Sequence, residues 1–340
     1  MVAGQTEGLC CRLRAPRPTP SLALSALLLA LSAACHRRPP APAVPAEWVF
    51  DSFADGATGE EVVSAIGGTS ADDVWAVGVA IHHFDGKTWS SVPVAGQRGT
   101  LSSISVVTKD DIWAAGFYGY VAHFDGKVWT GQRLDVARVS TDPAAVGWFD
   151  LLDVVAWPNE VWVAPSRPNY YRFDGARWSA VPGPFNIQSF WGTGPRDVWT
   201  PSGSMPTHFD GTQWVRAPAI ASTAVRAVHG TAKDDVWMVG WDGSHKDNRG
   251  SIRHFDGGTW MPSKLPPHTP LLWGVHAAAR DEAYAVGNDG EALVFDGTAW
   301  RSSPTGTRGI LKKVWAAPGE HAFAVGLIGN GVLRKTAPSR

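Results

Sequence analysis

Cysteine is scarce. Of 340 residues only Cys10, Cys11 and Cys35 carry a thiol. Beyond residue 35 a disulfide framework and a cysteine-held metal cluster are therefore excluded. An excess of one charge is also missing, since 30 Lys and Arg stand against 31 Asp and Glu. Residues 1–34 hold three Arg and Glu7, which leaves 27 basic and 30 acidic side chains in the rest. That balance lacks the basic surplus a nucleic-acid partner requires. The chain has no Gly-x-Ser-x-Gly elbow, no phosphate loop and no His-Glu-x-x-His pair. It also has no helical hydrophobic period of useful length, so an all-β fold is expected.

What the chain has in abundance is a repeat. Phe84-Asp85-Gly86…Trp89 recurs as Phe124-Asp125-Gly126…Trp129, Phe173-Asp174-Gly175…Trp178, Phe209-Asp210-Gly211…Trp214, Phe255-Asp256-Gly257…Trp260 and Phe295-Asp296-Gly297…Trp300. Asp-Gly between alternating apolar runs favours a two-residue type I′ hairpin turn. With Asp85 and Gly86 as the loop, Phe84 pairs with Lys87 and His82 with Trp89. Phe84 and Trp89 then leave one sheet face as diagonal neighbours. A Trp can bury roughly 200 Å² of surface, so that face belongs to the interior.

A second motif precedes each hairpin: Asp73-Val74-Trp75, Asp111-Ile112-Trp113, Glu160-Val161-Trp162, Asp197-Val198-Trp199, Asp235-Val236-Trp237, Glu282-Ala283-Tyr284 and His321-Ala322-Phe323. It returns every 37 to 49 residues, the interval of four-stranded propeller blades. Before each copy a polar stretch such as Thr69-Ser70-Ala71-Asp72-Asp73 reads as a turn, with Asp accepting backbone N–H groups. Seven motif strands stand against six hairpins, because the last unit, Ile310 to Lys335, ends after its third strand. Trp48 lies 18 residues before Ile66, much as Trp89 lies 15 before Ile104. Glu47-Trp48-Val49-Phe50 is therefore expected to supply the missing fourth strand and close the ring. The expected architecture is all-β: a single seven-bladed β-propeller over 47–340, with four-stranded antiparallel blades, the last closed by the N-terminal strand.

On these motifs the chain resembles bacterial exported β-propellers with BNR, or Asp-box-like, tandem repeats, and secreted proteins with Asp-Val-Trp-Ala-Val-Gly…His-Phe-Asp-Gly-x-x-Trp repeats. Sialidases and photosystem II assembly factors belong to the former group. The Asp-box proper has one residue between Asp and Gly, whereas here the two are adjacent. The resemblance implies a propeller fold and an exported location.

Ahead of the repeats, Arg12, Arg14 and Arg17 precede an apolar run from Ser21 to Ala34, the layout of a secretion signal. Leu31-Ser32-Ala33-Ala34-Cys35 resembles the lipobox of bacterial lipoproteins, with Ser32 where Leu is usual, which would make Cys35 the lipidated first residue. Cleavage after Ala34 by an ordinary signal peptidase fits as well. Residues 1–34 are thus read as a signal peptide and 35–46, rich in Pro, as a tether.

The hairpins and the Thr-x-x-Asp-Asp turns fall on one face of a propeller, which collects the irregular loops on the other: Asp135 to Phe149, Pro165 to Tyr170, Pro201 to Pro206, Trp241 to Gly250 and Met261 to Pro270. Ligand-binding candidates there are Tyr118, Trp148, Arg167, Tyr170, Arg226, Trp241, Asp242 and His245, with Phe117 and Tyr120 as further exposed aromatics. Asp242, Ser244, Asp247 and Asn248 lack the spacing and closing Glu of a calcium loop, so this stretch is read as solvated. His83, His123, His208 and His254 share one repeat position, are spread around the ring and read as packing residues. No catalytic residue, metal or cofactor is expected.

Two functions fit this pattern. The first is a non-catalytic exported binding or scaffold propeller, monomeric and held to the membrane only by its lipid. It would take a protein, peptide or glycan on the variable-loop face, at the outer membrane or cell surface, or otherwise in the periplasm or medium. The alternative is an extracellular carbohydrate-active hydrolase or lyase at the channel mouth. That would require Arg, two carboxylates and a Tyr in one pocket.

Overall fold

The computed structural model describes residues 47–335 apart from 54–61, 96, 98, 135–148, 167–168, 203–204, 218–222, 245 and 247–248. The expected signal peptide, tether and lipidation residue Cys35 lie outside the described residues. Among the described residues the strands form seven sheets. Val63–Ser70, Asp73–Gly78, Ile81–Phe84 and Trp89–Val92 make blade 1, antiparallel and in chain order. The same succession gives blades 2 (101–133), 3 (151–181), 4 (191–216), 5 (223–262) and 6 (272–302). The first strands contact one another around the axis, and each fourth strand lies outermost.

Blade 7 is assembled from both ends of the chain. Ile310–Ala316, Ala322–Leu327 and Gly331–Lys335 supply three strands. Trp48–Ser52 is the fourth, antiparallel, with Trp48 opposite Lys335 and Ser52 opposite Gly331. Arg334 donates to both oxygens of Asp51, at 2.6 and 3.2 Å, and Trp48 Nε1 donates to Ser303 Oγ of blade 6 at 3.0 Å. The expected closure is observed. Blade 2 departs from the four-strand pattern, because Val94–Ala95 runs parallel to Trp129–Arg133 as a short fifth strand. The chain leaving blade 1 thereby covers backbone groups on the outer edge of its neighbour.

The core is a ring of aromatic contacts between blades. Trp75 of blade 1 packs on Phe124 and Trp129 of blade 2, with centroids at 5.1 and 5.6 Å. Trp113 meets Phe173 and Trp178, and Trp162 meets Phe209 and Trp214. Trp199 meets Phe255 and Trp260, and Trp237 meets Phe295 and Trp300. Tyr284 and Trp48 share the cluster between blades 6 and 7, and Phe323 reaches Phe84 and Trp89 to complete the circle. The two repeated motifs are thus the two halves of one joint, blades 1 to 5 each offering a motif Trp to the next blade's hairpin.

The hairpin register corrects the sequence expectation. Phe84 stands directly opposite Trp89, so the loop is Asp85 to Thr88, four residues rather than two. The cause is the Asp carboxylate, whose Oδ1 accepts the N–H groups of Lys87 and Thr88 at 2.9 and 2.8 Å and holds a wider turn. The arrangement recurs at Asp125, Asp174, Asp210, Asp256 and Asp296. Only the Gly needs positive φ, +86° at Gly86. A Cβ there would also lie 2.6 Å from Asp72 Oδ1, so the hairpin tip rests on the first turn of its own blade. Both regular turns share one face.

Candidate functional site

The regular face pairs the acids that open its second strands with side-chain donors of the same blade. Asp73 Oδ1 accepts Trp75 Nε1 at 3.2 Å and His83 Nε2 at 2.7 Å, while the imidazole stacks on the Trp75 indole at 4.1 Å. Asp111 does the same with Trp113 and His123, both at 2.9 Å. Asp197–His208 and Asp235–His254 pair at 2.6 Å. The second Asp of each turn therefore takes side-chain donors, where the sequence reading expected backbone N–H groups. Blade 3 replaces the pair with a longer acid and a longer cation: Glu160 Oε1 accepts Trp162 Nε1 at 2.7 Å and Arg172 Nε at 2.6 Å. The hydrogen bond from His83 holds the Asp73 carboxyl below its ordinary value. Burial pushes Asp235 up, but the bonds from His254 and Thr231 outweigh it and the carboxyl is lowered too.

The opposite face presents two side chains per blade whose identity varies. The outer position follows Gly78, Gly116, Pro165, Gly240, Gly287 and Gly326 of six second strands: Val79, Phe117, Ser166, Trp241, Asn288 and Leu327. The inner position is a β-bulge near the start of the first strand. The register slips by one residue there, setting Ser64, Ser102, Leu152, Arg226, Trp273 and Lys312 out of the ladder. A bulge bends the strand and re-aims its side chain. Phe117, Arg226 and Trp241 are sequence candidates, but the two columns they belong to were not singled out as such. The signal was present as the least repetitive column beside the most repetitive Gly.

The two positions meet in blades 5 and 6. The Arg226 guanidinium lies 4.6 Å from the Trp241 ring centroid and 5.0 Å from that of Trp273. Its Nη1 donates to Gln188 Oε1 at 2.7 Å. Trp273 Nε1 in turn donates to Asn288 Oδ1 at 2.7 Å. Burial lowers the Arg226 pKa from its ordinary value. A cation between two indoles, fixed by an amide from the segment before blade 4, is a rigid notch.

Beside this notch the first strands enclose an axial cavity of about 270 Å³. Lys313 Nζ of blade 7 lies 3.5 Å from Asp153 Oδ1 of blade 3, bridging the channel. Asp153 also accepts Ser103 Oγ at 2.5 Å and the Phe190 N–H at 2.6 Å. His229 and His276 lie ring to ring at 4.1 Å. The Ala277 N–H donates to His229 Nδ1, and His276 Nε2 donates to the Ala316 carbonyl, each at 3.1 Å. Burial depresses both imidazoles, His276 to about 4 and His229 well below its ordinary value. Among the described residues the cavity lining holds one carboxylate, Asp153, and neither Arg nor Tyr. The Arg, two-acid and Tyr cluster of a carbohydrate-cleaving site is not assembled there.

Of the residues singled out from sequence, Arg226 and Trp241 come together, with Asp242 next in the chain accepting the Ser244 N–H at 2.9 Å. Tyr118 is 50% exposed on the turn of blade 2, away from that notch, and holds a left-handed backbone at φ +60°. Tyr170 is corrected: it is 2% exposed and packs on Trp162 at 4.6 Å, in the joint between blades 3 and 4. Tyr120, also 2% exposed, is corrected likewise. Tyr170 packs toward blade 4 and Tyr120 packs toward blade 1 beside Trp75 and Trp129, so an inter-blade joint absorbs each ring. Trp241 to Gly250 is not a simple loop, since Trp241 pairs with Gly250 and Asp242 with Arg249 in an extended hairpin. Trp148, Arg167 and His245 lie outside the described residues.

Fold and face together define a seven-bladed β-propeller with one regular face and one variable face. No protein-family model matches the chain, and no curated protein is similar to it in sequence. Solved propellers are similar in structure. YCF48 bound to D1 peptide aligns with a TM-score of 0.63 at 16% identity, over 87% of this chain and 98% of that one. YCF48 from Cyanidioschyzon merolae gives 0.61 at 17%, over 86% and 99%. An extracellular domain of a hybrid two-component system from B. thetaiotaomicron gives 0.62 at 11%, over 87% of this chain and 42% of that one. At such identities the likeness establishes the fold.

Proposed function

We propose that this chain is an exported, non-catalytic binding propeller that holds a peptide or protein segment on its variable face. The observation that carries the reading is the bulge ring. Six first strands each turn one non-repeating side chain out of the ladder beside the axial cavity, and Arg226 and Trp273 among them form the notch with Trp241. Val79, Phe117, Tyr118 and Leu327, each 41–50% exposed, add an apolar arc over blades 7, 1 and 2. Exposed apolar surface grouped on one face is the mark of an interaction site. That a solved propeller of the same architecture, YCF48, is bound to D1 peptide supports a peptide over a glycan.

Selection of random peptides against the chain tests this reading. Selected peptides should bind with micromolar Kd and lose at least about tenfold in affinity when Tyr118, Trp241 and Trp273 are all replaced by Ala. Equal binding by that triple variant would place the site elsewhere. The signal layout and Cys35 further support export with a lipid anchor, which mass spectrometry of the mature N-terminus decides. A first residue other than lipidated Cys35 would exclude the anchor.

A further inference from the structure

Arg226 lacks the acid that several other partly buried cations have. Arg172 has Glu160, Arg334 has Asp51, Lys313 has Asp153 and Lys335 has Glu47. Among the described residues no carboxylate lies within 4 Å of Arg226, and its sole hydrogen-bond acceptor is the neutral Gln188 amide. Its Nε is buried without a partner. A guanidinium brings five N–H donors, and removing its charge from water without an anion is costly. Trp241 and Trp273 offset part of that cost through their ring faces, but they leave the donor fork unfilled. Lys312, half-buried on the equivalent bulge of blade 7, adds a second cation with no acid within 4 Å among the described residues. The blade 6 bulge carries neutral Trp273, so the bulges of blades 5 to 7 present two cations and no acid.

We propose that Arg226 is the receptor for a ligand carboxylate, and that the peptide taken by this face is anchored by an acidic group at the blade 5–6 notch. The inference rests on the peptide reading above. An Arg fork matches a carboxylate with two parallel N–H···O bonds, and the flanking indoles exclude water from that pair. A chain terminus and an Asp or Glu side chain offer the same group.

The experiment follows the indole N–H resonances of Trp241 and Trp273 while the full chain is titrated with N-acetyl-leucine, its amide, or N-acetyl-glutamate carrying an amide at its α-carboxyl. All titrations are run at matched ionic strength. The free acids should shift both resonances saturably in the millimolar range, and the leucine amide should shift neither. Tighter binding by N-acetyl-leucine assigns the notch to a chain terminus, and tighter binding by the glutamate derivative assigns it to a side chain. Equal shifts with N-acetyl-leucine and its amide overturn the proposal, as does the absence of any shift. Arg226→Gln should weaken acid binding at least about tenfold, and unchanged affinity in a folded variant overturns the proposal too. If that variant does not fold, the acid-against-amide comparison on the unaltered chain decides alone. The failures of the two readings separate: selected peptides that bind at Trp241 and Trp273 with equal affinity as acid and amide preserve the peptide site while removing the carboxylate.

Discussion

On the face that carries the hairpins, Asp73, Asp111, Asp197 and Asp235 each take a His from the same blade, and the Asp of each hairpin takes two backbone N–H groups of its own turn. On the opposite face Arg226 is held by two indoles and one amide, with no acid within 4 Å among the described residues. Both faces come from the same repeats. The difference teaches that repetition was spent on joints and turns, and that the positions released from repetition are those the bulges turn toward the channel mouth.

The comparison can be broken most forcefully at a joint. Trp237 is 3% exposed and packs on Phe295 and Trp300 of the next blade. Trp237→Ala should cost about 3 to 5 kcal/mol, read as a lower unfolding midpoint. An unchanged midpoint would contradict the joint. Next, Asp235→Asn leaves His254 and Thr231 facing an amide in place of a buried carboxylate. A loss of about 1.5 to 3 kcal/mol with peptide binding unaltered is expected. Weakened binding would mean that the regular face is not separate from function.

Acid should unfold the molecule in two stages. The folded His276 imidazole stays neutral down to about 4, whereas in the unfolded chain it takes a proton near 6.5. The unfolded state binds more protons in that window, so stability falls as pH drops from 6.5 to 4. Asp73 and Asp235 have folded values below 3.8, so their contribution is present above 3.8 and is lost as pH falls through the lowered values. His276→Gln should reduce the slope of the upper stage, to which buried His229 also contributes, and leave the lower stage unchanged, measured by urea unfolding at stepped pH. A slope unchanged between 6.5 and 4 would show that this His is not held neutral. The smallest effect belongs to the variable face: Tyr118→Gly relieves a left-handed backbone and should raise stability by about 1 kcal/mol or less, while weakening selected peptides. A destabilised variant would show that the Tyr118 ring supports the fold.

Much of the fold was legible because its signals are local and repeated. Seven motif strands, six hairpins and the spacing of Trp48 are enough to specify seven blades and their closure. The four-residue loop escaped because Asp-Gly alone does not reveal that the Asp carboxylate reaches two residues further to cap the turn. Arg226 and Trp241 were legible as non-repeating polar and aromatic residues in the variable set. Tyr170 and Tyr120 were misplaced because exposure depends on the neighbouring blade, which a single repeat does not contain.

By itself the sequence determined the repeating unit, the aromatic halves of each joint and the place where the ring closes, all of which follow from short-range alternation and turn chemistry. Only the tertiary structure decided which side chains meet across blades. Gln188, Arg226 and Trp273 belong to three successive blade units, and 85 residues separate the first from the last. Ring geometry and a one-residue bulge bring them to one notch, and neither can be seen in the residues before the chain has closed.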